Sequence, residues 1–250
     1  MFDLANKRIV ITGASSGIGR QCAISCSKMG ATLLLFGRNQ EQLNVTRSYL
    51  DGTNHLTFAQ DIRDIDQFSL SIEKAVNEYN AIDGFIHSAG IQNTLPLRLH
   101  NKEIYNNLFE VNAIGAFECC RMLIQKNYFN KGGSIIFIAS IRGLLGASSQ
   151  VGYAASKGAV IAGTRSLALE LAFRNIRVNS ISPGMVEDTA MTKKSLVGLP
   201  SDWVEKSKSE YPLGWISAED VANTCIFLLS NESQKITGTN IVVDGGFSAR

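Results

Sequence analysis

Short apolar, β-branched runs alternate with longer amphipathic stretches along the whole chain of 250 residues. The runs are apolar at consecutive positions, which indicates strands that are buried on both faces of a sheet. They predict strands at residues 8–12, 32–36, 55–59, 84–88, 134–139, 177–182 and 240–244. The stretches between them have helical spacing, for instance residues 64–80 and 153–174. This alternation predicts an α/β fold: one doubly wound sheet of parallel strands with helices on both faces.

One stretch, residues 185–217, interrupts the alternation between the sixth strand and the last long helix. It carries two of the four prolines and both tryptophans. An insertion of this length inside a compact domain is usually a functional lid or a disordered segment. Apolar side chains favour a lid that packs, at residues 185–215; they are Leu196, Leu199, Trp203, Tyr211, Leu213 and Trp215. Since the chain has no linker and no repeat, we expect a single domain, residues 1–250.

Composition and charge narrow the class of protein. The formal net charge of +2 implies no broad basic face, so we expect neither a nucleic acid nor a membrane as partner. No apolar run approaches the roughly 20 residues that span a bilayer, and the start of the chain lacks the apolar segment of a secretory signal. The five cysteines are odd in number and lack metal-ligand spacing. They predict reduced, buried thiols, no metal site and a cytoplasmic protein.

The sequence "TGASSGIG" places Gly13, Gly17 and Gly19 directly after the first strand. Gly13 lets the chain turn sharply off the strand, and the other two remove side chains where a helix begins close to sheet and ligand. The N–H groups and the positive dipole end of that helix favour a pyrophosphate, to which Ser15 and Ser16 can also donate. A tight connection without a ligand is the alternative, but the strand–turn–helix context favours a dinucleotide.

The end of the second strand bears on which dinucleotide is bound. A cofactor without a 2′-phosphate is usually held here by an acidic residue. The sequence "LLLFGRNQ" instead has Gly37 at that place, followed by Arg38, whose guanidinium can bind a phosphate. We therefore favour NADP(H) over NAD(H); a surface arginine that ends the strand is the alternative. Asp61, after the third strand, can accept from the adenine amino group or cap the next helix in competition with Asp64.

The sequence "YAASK" contains Tyr153 and Lys157 at a spacing that puts the phenol and the ammonium on one helix face. Ser140 ends the fifth strand, at the sheet edge where ligands bind. Reducing a carbonyl requires a hydride from a nicotinamide and a proton for the developing alkoxide. One ammonium at about 4 Å supplies roughly the 4 kcal/mol that lowers a tyrosine pKa from about 10 to about 7.

These residue types predict three roles. Tyr153 is the general acid/base, and Lys157 is the cation that lowers its pKa and holds the nicotinamide ribose. Ser140 is the hydrogen-bond donor that polarises the carbonyl. A surface Tyr/Lys pair on an amphipathic helix is the alternative.

Two further polar residues have more than one interpretation. Asn112, in "FEVNAIGAFECC", is either a solvated or kink-stabilising asparagine, or its backbone carbonyl holds a water that relays protons to Lys157. His87 precedes "SAG", residues 88–90, which would line the adenosine ribose. We expect His87 to be a packed histidine at the strand end rather than a catalyst.

With these motifs in place, the chain resembles the short-chain dehydrogenase/reductase family over essentially its whole length. The resemblance is carried by "TGASSGIG", Asp61, "SAG", Asn112, Ser140, "YAASK", "RVNSISPG" (177–184) and "ITGTNIVVDGG" (236–246). It implies a Rossmann sheet of seven parallel strands, transfer of the 4-pro-S hydride, and a catalytic tetrad of Asn112, Ser140, Tyr153 and Lys157. It also implies a set of cofactor-binding residues at the strand ends: Gly13, Ser15, Ser16, Gly17, Ile18, Gly19, Arg38, Asp61, Ile62, Ser88, Ala89, Gly90, Tyr153, Lys157, Pro183, Gly184, Val186 and Thr189.

The chain departs from the family pattern at two places. "HSAG" replaces the usual "NNAG", which weakens a side-chain role for residues 87 and 88. After "PG", many members have a threonine that holds the nicotinamide carboxamide, whereas here Asp188 has that place and Thr189 follows. Either the lid shifts by one residue or Thr189 does not make that contact. Val186 and the turn at residues 183–184 would still shape the nicotinamide pocket.

The C-terminal half is most similar to the 3-oxoacyl-acyl-carrier-protein reductases of this family, which links the chain to fatty acid biosynthesis. Lys131 and Arg174 fall where those enzymes place basic residues facing the acidic carrier protein; solvated surface is the alternative. Family members are commonly homotetramers that pair two long helices, which here start near Ile104 and Tyr153.

Three functions remain open from the sequence. The leading one is an NADPH-dependent carbonyl reductase that acts on a small ketone or on a carrier-bound substrate such as a 3-oxoacyl thioester. The second is an NAD(P)-dependent sugar, polyol or other secondary-alcohol dehydrogenase. The third is a dinucleotide-binding regulator without catalysis, although such proteins usually lose the tyrosine or lysine that this chain keeps.

Overall fold

The computed structural model of the protein describes residues 2–125 and 128–249. Met1 and Arg250, the two ends of the predicted domain, lie outside the described residues, as do Lys126 and Asn127. The described part contains seven strands: β1 (Arg8–Thr12), β2 (Thr32–Gly37), β3 (Leu56–Ala59), β4 (Ile82–His87), β5 (Phe129–Ile138), β6 (Arg177–Pro183) and β7 (Asn240–Val243). All neighbours pair in parallel, in the order β3-β2-β1-β4-β5-β6-β7.

Helices connect successive strands and cover both faces of the sheet. Over the same residues they are α1 (Gly17–Lys28), α2 (Gln40–Ser48), α3 (Ile65–Tyr79), α4 (Lys102–Phe109), α5 (Gly115–Ile124), α6 (Val151–Leu171), α7 (Ala190–Leu196), α8 (Ser201–Ser209) and α9 (Ala218–Leu229). A π-helical turn, Glu110–Ile114, joins α4 to α5. The Asp64 side chain accepts from the Gln67 N–H at the start of α3.

Two apolar clusters hold the helices to the sheet, one on each face. Consecutive residues of β1 illustrate this: Val10 belongs to the cluster with α3, α5 and α6, and Ile11 to the cluster with α1 and α9. Both are completely buried, because a strand points successive side chains to opposite faces. The doubly wound α/β fold predicted from the consecutive apolar runs is thereby confirmed.

The predicted strands agree with the structure to within two residues, except at the start of β5. That strand begins at Phe129, which pairs with Ile82 of β4. The pairing register then shifts between Ile82 and Gly84, and Gly132 adopts a φ of 79°. The polar, glycine-containing residues of this irregular part carry no apolar pattern, so the sequence predicted only the regular end of the strand.

The sheet reverses its order of strand addition at β1, which pairs with β2 on one side and β4 on the other. Open parallel sheets bind ligands at such a point, in the crevice outside the carboxyl ends of the strands. The loops that follow β1, β4, β5 and β6 meet at this edge and line one cavity there.

The segment 185–217 folds into α7, α8 and the turns around them, and Val186 forms a bridge with Ile216 at its base. The prediction that its apolar side chains pack is right for Tyr211, which is buried, but wrong for Leu199, Trp203 and Leu213, which are exposed. The reason is that none of the residues of α8 is buried, so this helix lies on the surface of the protein.

All five cysteines are buried free thiols, as predicted. The Sγ atoms of Cys22 in α1 and Cys225 in α9 lie 3.7 Å apart, where the two helices pack. The described residues contain no group of three or more His, Cys, Asp or Glu placed to hold a metal ion. None of the described helices has the length and apolar character needed to cross a membrane.

Candidate active site

A cavity of about 320 Å³ runs along the carboxyl edge of the sheet. It is lined by nearly all of the site residues predicted from the sequence: Gly13, Ser15, Ser16, Gly17, Ile18, Arg38, Asp61, Ile62, Ser88, Ala89, Gly90, Ser140, Tyr153, Lys157, Pro183, Gly184, Val186 and Thr189. Gly19 and Asn112 are not among the lining residues; they lie behind them. The fold therefore brings residues from six strand ends into one crevice.

The glycines after β1 are required by close backbone packing. Gly13 and Gly17 have φ values of 68° and 53°, in the left-handed region that favours glycine. A Cβ atom on Gly13 would lie 2.7 Å from the backbone nitrogen of Ala89, and one on Gly19 would overlap the Gly13 carbonyl. The first turn of α1 therefore lies directly against the cavity, without side chains in between.

This turn fits the pyrophosphate of a dinucleotide. Ser16 is the N-cap residue of α1, but its side chain makes no capping hydrogen bond, so its hydroxyl is available to a ligand. The N–H groups at the start of a helix are unpaired within the helix and attract anions. Of these residues, Ser16, Gly17 and Ile18 line the cavity, which is the arrangement that a phosphate requires.

Gly37 and Arg38, at the end of β2, are suited to a further anionic group. A Cβ atom on Gly37 would lie 3.2 Å from Cβ and Oγ of Ser15, so an acidic side chain at this position would displace the turn. Arg38 follows and lines the cavity. No hydrogen bond or ion pair engages its guanidinium within residues 2–125 and 128–249.

Asp61 lines the cavity after β3 but does not cap α3, since Asp64 does. Its carboxylate forms an ion pair with Arg63 at 2.7 Å. Hydrogen bonding from Arg63 lowers the pKa of Asp61, and the charge of Arg38 contributes to the same direction. The carboxylate is thus an ionised acceptor at the cavity wall.

Tyr153, Lys157 and Ser140 converge at the other end of the cavity. Tyr153 and Lys157 lie one turn apart on α6, and all three side chains are buried although they are polar. The Ser140 hydroxyl is near enough to the Tyr153 phenol to lower its pKa. The Lys157 ammonium donates to the Ile138 carbonyl at 2.8 Å and lies 6.0 Å from the centre of the Tyr153 ring. Two hydroxyls and one cation therefore face the same small volume.

The pKa of Tyr153 differs from the sequence prediction. Burial raises the pKa of Tyr153, while the hydrogen bond from Ser140 and the charge of Arg142 lower it in part. Burial also lowers the pKa of Lys157 to about 8. Lys157 alone therefore does not bring the tyrosine pKa below its ordinary value, because the desolvation of a buried phenol outweighs the nearby positive charges.

With this geometry established, the comparisons with known proteins are informative. The family described as enoyl-(acyl carrier protein) reductase matches residues 13–248. A 3-oxoacyl-acyl-carrier-protein reductase from Thermotoga maritima is 36% identical over 246 residues, which cover 97% of this chain and 98% of that protein. The corresponding reductase of Chlamydia muridarum is 33% identical, with 98% of each chain covered.

A solved structure agrees with these relatives. The short-chain dehydrogenase/reductase described as glucose/ribitol dehydrogenase from Brucella melitensis superposes with a TM-score of 0.90, at 30% identity and with 97% of both chains covered. This chain belongs to the short-chain dehydrogenase/reductase family. It is therefore an oxidoreductase that acts on CH–OH and C=O groups.

Asn112 lies in the π-helical turn between α4 and α5 and is completely buried, so the solvated alternative is excluded. Its side chain accepts from the Ile91 N–H at 2.8 Å and donates to the Ile91 carbonyl at 2.9 Å. It also donates to the Ser156 hydroxyl at 3.0 Å. A Cβ atom on Gly90 would lie 3.2 Å from Asn112 Oδ1 and 3.4 Å from Lys157 Nζ, so this short-chain dehydrogenase/reductase holds both groups beside Gly90.

His87 is the packed histidine that the sequence predicted. It is buried at the end of β4, and its Nδ1 lies 3.1 Å from the Thr12 hydroxyl. Burial and the charge of Lys157 lower the pKa of His87 to about 3. The imidazole is therefore neutral at physiological pH and is a structural part of this member of the family.

Thr189, not Asp188, lies at the cavity. Thr189 lines the cavity and caps α7 by accepting from the Thr192 N–H, and its Cγ2 would lie 3.4 Å from a Cβ atom on Gly17. Asp188 is directed elsewhere and accepts from the Ala218 N–H at the start of α9. Of these two residues, only Thr189 is placed where it could contact a bound cofactor.

The two basic residues proposed to face a carrier protein differ in their surroundings. Lys131 is exposed. Arg174 is half-buried, and its guanidinium donates to the backbone carbonyls of Ile124 and Phe129 at 2.7 and 2.8 Å. Two of its five N–H donors therefore link the end of α5 to the start of β5.

Arg142 and Tyr211 are among the cavity residues that sequence reasoning missed. Arg142 follows Ser140 by two positions, and its backbone N–H donates to the Ser140 hydroxyl oxygen at 3.1 Å. Tyr211 was expected only as a packing residue of the lid, but it also lines the cavity. The proximity of Arg142 to Ser140 in the sequence was the signal that could have found it, whereas the position of Tyr211 depends on how the lid folds back.

Proposed function

We propose that the protein is an NADPH-dependent carbonyl reductase whose substrates include 3-oxoacyl thioesters. The observation that carries the proposal is that the buried side chains of Ser140, Tyr153 and Lys157 line the same end of one cavity, with the Lys157 ammonium 6.0 Å from the centre of the Tyr153 ring. These side chains share the cavity with a helix N-terminus suited to a pyrophosphate. The thioester is suggested by the 3-oxoacyl-acyl-carrier-protein reductases among the relatives.

The bound cofactor supplies the hydride, and the chain supplies the proton and its positioning. Tyr153 donates its hydroxyl proton to the oxygen of the reacting carbonyl, and Ser140 donates a hydrogen bond to that oxygen. Because burial raises the pKa of Tyr153, the phenol is protonated at neutral pH, as the reductive direction requires. Lys157 stabilises the phenolate that remains, and Asn112 and Gly90 hold the backbone beside Lys157.

The preference for NADPH follows from the end of β2. Arg38 provides an unpaired guanidinium at the cavity, and Gly37 provides no carboxylate that would repel a 2′-phosphate. The Arg38→Ala variant should weaken NADPH binding by about tenfold or more and leave NADH binding within about twofold. Dissociation constants of both cofactors, measured by calorimetry for both proteins, test this. Unchanged NADPH affinity in the variant would contradict the assignment.

A substrate panel tests the reaction itself. NADPH absorbance is followed with an acetoacetyl thioester, a crotonyl thioester, a ketose sugar and a cyclic ketone. We expect the acetoacetyl thioester to be reduced with the highest kcat/KM. Preferential reduction of the crotonyl double bond, or of the ketose, would replace the proposed substrate class. NADPH binding without turnover of any compound would indicate a regulator.

We also propose a cytoplasmic homotetramer. Five buried cysteines without a disulfide suit a reducing compartment. Much of the apolar surface of α5 is used by the core of the single chain, but Leu169 and Phe173 at the end of α6 are each 82% exposed. Such side chains are suited to pairing this helix with a second copy.

A further inference from the structure

Arg142 lies at the reacting end of the cavity, and the mechanism does not use its guanidinium. It belongs to a short 3-10 helix, Ile141–Gly143, that starts directly after Ser140. The charge of Arg142 lowers the pKa of Tyr153. It is also the largest of the effects that lower the pKa of Tyr211. The guanidinium therefore lies near both phenols, whereas Arg38 lies at the opposite end, beside Asp61.

An aromatic face holds the guanidinium in place. Its central carbon lies 5.7 Å from the centre of the Phe247 ring, and Phe247 stacks on Tyr211 with ring centres 4.6 Å apart. Stacking engages the flat face of a guanidinium and leaves the N–H groups at its edge free to donate. Arg142 thus packs against an aromatic ring, and no residue of 2–125 or 128–249 accepts a hydrogen bond from its guanidinium.

No carboxylate of the described chain forms an ion pair with Arg142. The three ion pairs found among residues 2–125 and 128–249 do not involve it. The two carboxylate oxygens of Asp244 accept from the backbone N–H groups of Gly246 and Ser248. Arg142 and Lys157 are therefore two cations at the reacting end of the cavity, and the negative charges of Asp244 and Glu210 act on Tyr211 at its edge.

We propose that Arg142 is a specificity-determining residue that binds an oxyanion group of the substrate, a carboxylate or a phosphate, close to the reacting carbonyl. Guanidinium N–H donors match the two oxygens of such a group. The inference rests on the proposed carbonyl reduction and adds a second class of substrates beside the 3-oxoacyl thioesters: small ketones with a negative charge close to the carbonyl, of which a free 3-oxo acid is the simplest example.

Matched pairs of ketones that differ in this charge test the proposal. The carboxylate pair is 3-oxobutanoate and its methyl ester, and the phosphate pair is dihydroxyacetone phosphate and dihydroxyacetone. In the wild type, the charged member of at least one pair should have a kcat/KM at least about tenfold higher. The pair that shows the preference identifies the oxyanion.

Three variants separate charge from other effects. Arg142→Gln should abolish the preference: the ratio of kcat/KM for the charged ketone to kcat/KM for the neutral one should fall about tenfold or more, and this ratio cancels any change in Tyr153 that affects both ketones. Arg142→Lys should restore part of it, because it keeps the charge but not the fork of donors. Arg47→Gln removes an exposed arginine of α2 and should leave the preference unchanged.

Calorimetry in the presence of NADPH distinguishes failure of this inference from failure of the proposed function. Each member of the matched pair 3-hydroxybutanoate and methyl 3-hydroxybutanoate is titrated into the complex, in which no turnover occurs. Tighter binding of the acid, lost in Arg142→Gln, supports the oxyanion site even if no ketone of the panel is reduced. Equal binding of acid and ester in the wild type, together with equal kcat/KM values in both ketone pairs, would overturn it.

Discussion

At the scale of single residues, the cavity depends on buried groups whose charge is set by their surroundings. Burial lowers the pKa of Lys157 to about 8, and burial together with Lys157 lowers the pKa of His87 to about 3. The pKa of Tyr153 shifts in the other direction, because burial raises the pKa of an acid that is neutral when protonated. Of these three buried groups, Lys157 is therefore the cation near pH 7, and His87 and Tyr153 are neutral.

His87 makes stability depend on pH in a specific range. The unfolded chain binds a proton at His87 as the pH falls through 6.5, whereas the folded protein does not until about 3. His87 therefore makes its full contribution to the free energy of unfolding above pH 6.5. This contribution falls with the pH, by about 2 kcal/mol between pH 7 and pH 5. The His87→Asn variant should lose about 2 kcal/mol less over that interval.

Denaturant unfolding of both proteins at pH 7 and pH 5 provides the measurement. The other titrating groups are common to both proteins, so the difference between the two pH dependences isolates His87. Equal losses of unfolding free energy in the two proteins would contradict the lowered pKa of this histidine.

Individual site residues were predictable from the sequence where a local pattern determines their position. The spacing of Tyr153 and Lys157 on one helix and the glycines after β1 are such patterns. Tyr153, Lys157, Gly13 and Gly17 line the cavity, and Gly19 lies behind them. The pKa of Tyr153 was not predictable in the same way. It depends on how completely the fold removes water from the phenol, which the spacing of residues does not determine.

At the scale of elements, the π-helical turn Glu110–Ile114 connects helices α4 and α5 to the site. Its Asn112 side chain provides hydrogen bonds to both backbone groups of Ile91, on the loop after β4. A buried N–H or carbonyl without a partner costs about 1–3 kcal/mol. The turn is thus stabilised by the same residue that fixes the loop beside Lys157.

Replacement of Asn112 should therefore destabilise the fold as well as reduce activity. We expect the Asn112→Ala variant to lose about 2–4 kcal/mol of unfolding free energy, since both Ile91 groups lose their partner. Asn106→Ala, an exposed asparagine of α4, should change it by less than about 0.5 kcal/mol. Urea unfolding of the two variants compares them, and equal stability of both would show that Asn112 does not support the loop.

The lid is the element that the sequence predicted least well. The length and composition of residues 185–217 indicated an inserted segment, but which side chains pack depends on contacts made by other parts of the chain. Tyr211 is buried because Phe247, near the C-terminus, stacks on it. No pattern within the segment distinguishes Tyr211 from the exposed Leu213.

Ligand binding should order this segment. Because α8 buries none of its residues, its amide groups should exchange rapidly in the free protein. With NADPH and a substrate analogue bound together, residues 185–215 should gain protection in hydrogen-exchange mass spectrometry, while α3 should not change. Equal exchange of the segment with and without both ligands would mean that it does not close over the site.

At the scale of the whole molecule, the two sheet faces are buried by the chain itself, so an assembly is left with the outer faces of the helices and the edge strands β3 and β7. The alternation of apolar strands and helices predicted this layering correctly. It did not predict which apolar helix residues belong to the core. Cys119 and Cys120 of α5 are buried within the chain, whereas Leu169 of α6 is exposed.

The exposed end of α6 provides a test of the proposed tetramer. The double variant Leu169→Glu and Phe173→Glu should shift the protein to smaller species, because charges placed on an apolar contact disfavour burial. Sedimentation velocity of both proteins at equal concentration provides the comparison. A wild-type protein that sediments as a monomer would exclude the tetramer, and an unchanged oligomer in the variant would place the contact elsewhere.

The central claim is that Tyr153 provides the proton beside the nicotinamide end of the cavity, and the Tyr153→Phe variant tests it most directly. NADPH oxidation with the best substrate of the panel is measured together with NADPH affinity, with Tyr49→Phe on an exposed tyrosine as control. The account predicts that Tyr153→Phe keeps NADPH affinity within about threefold and loses at least about a hundredfold in kcat, with the control unchanged. Turnover by Tyr153→Phe close to that of the wild type would contradict it.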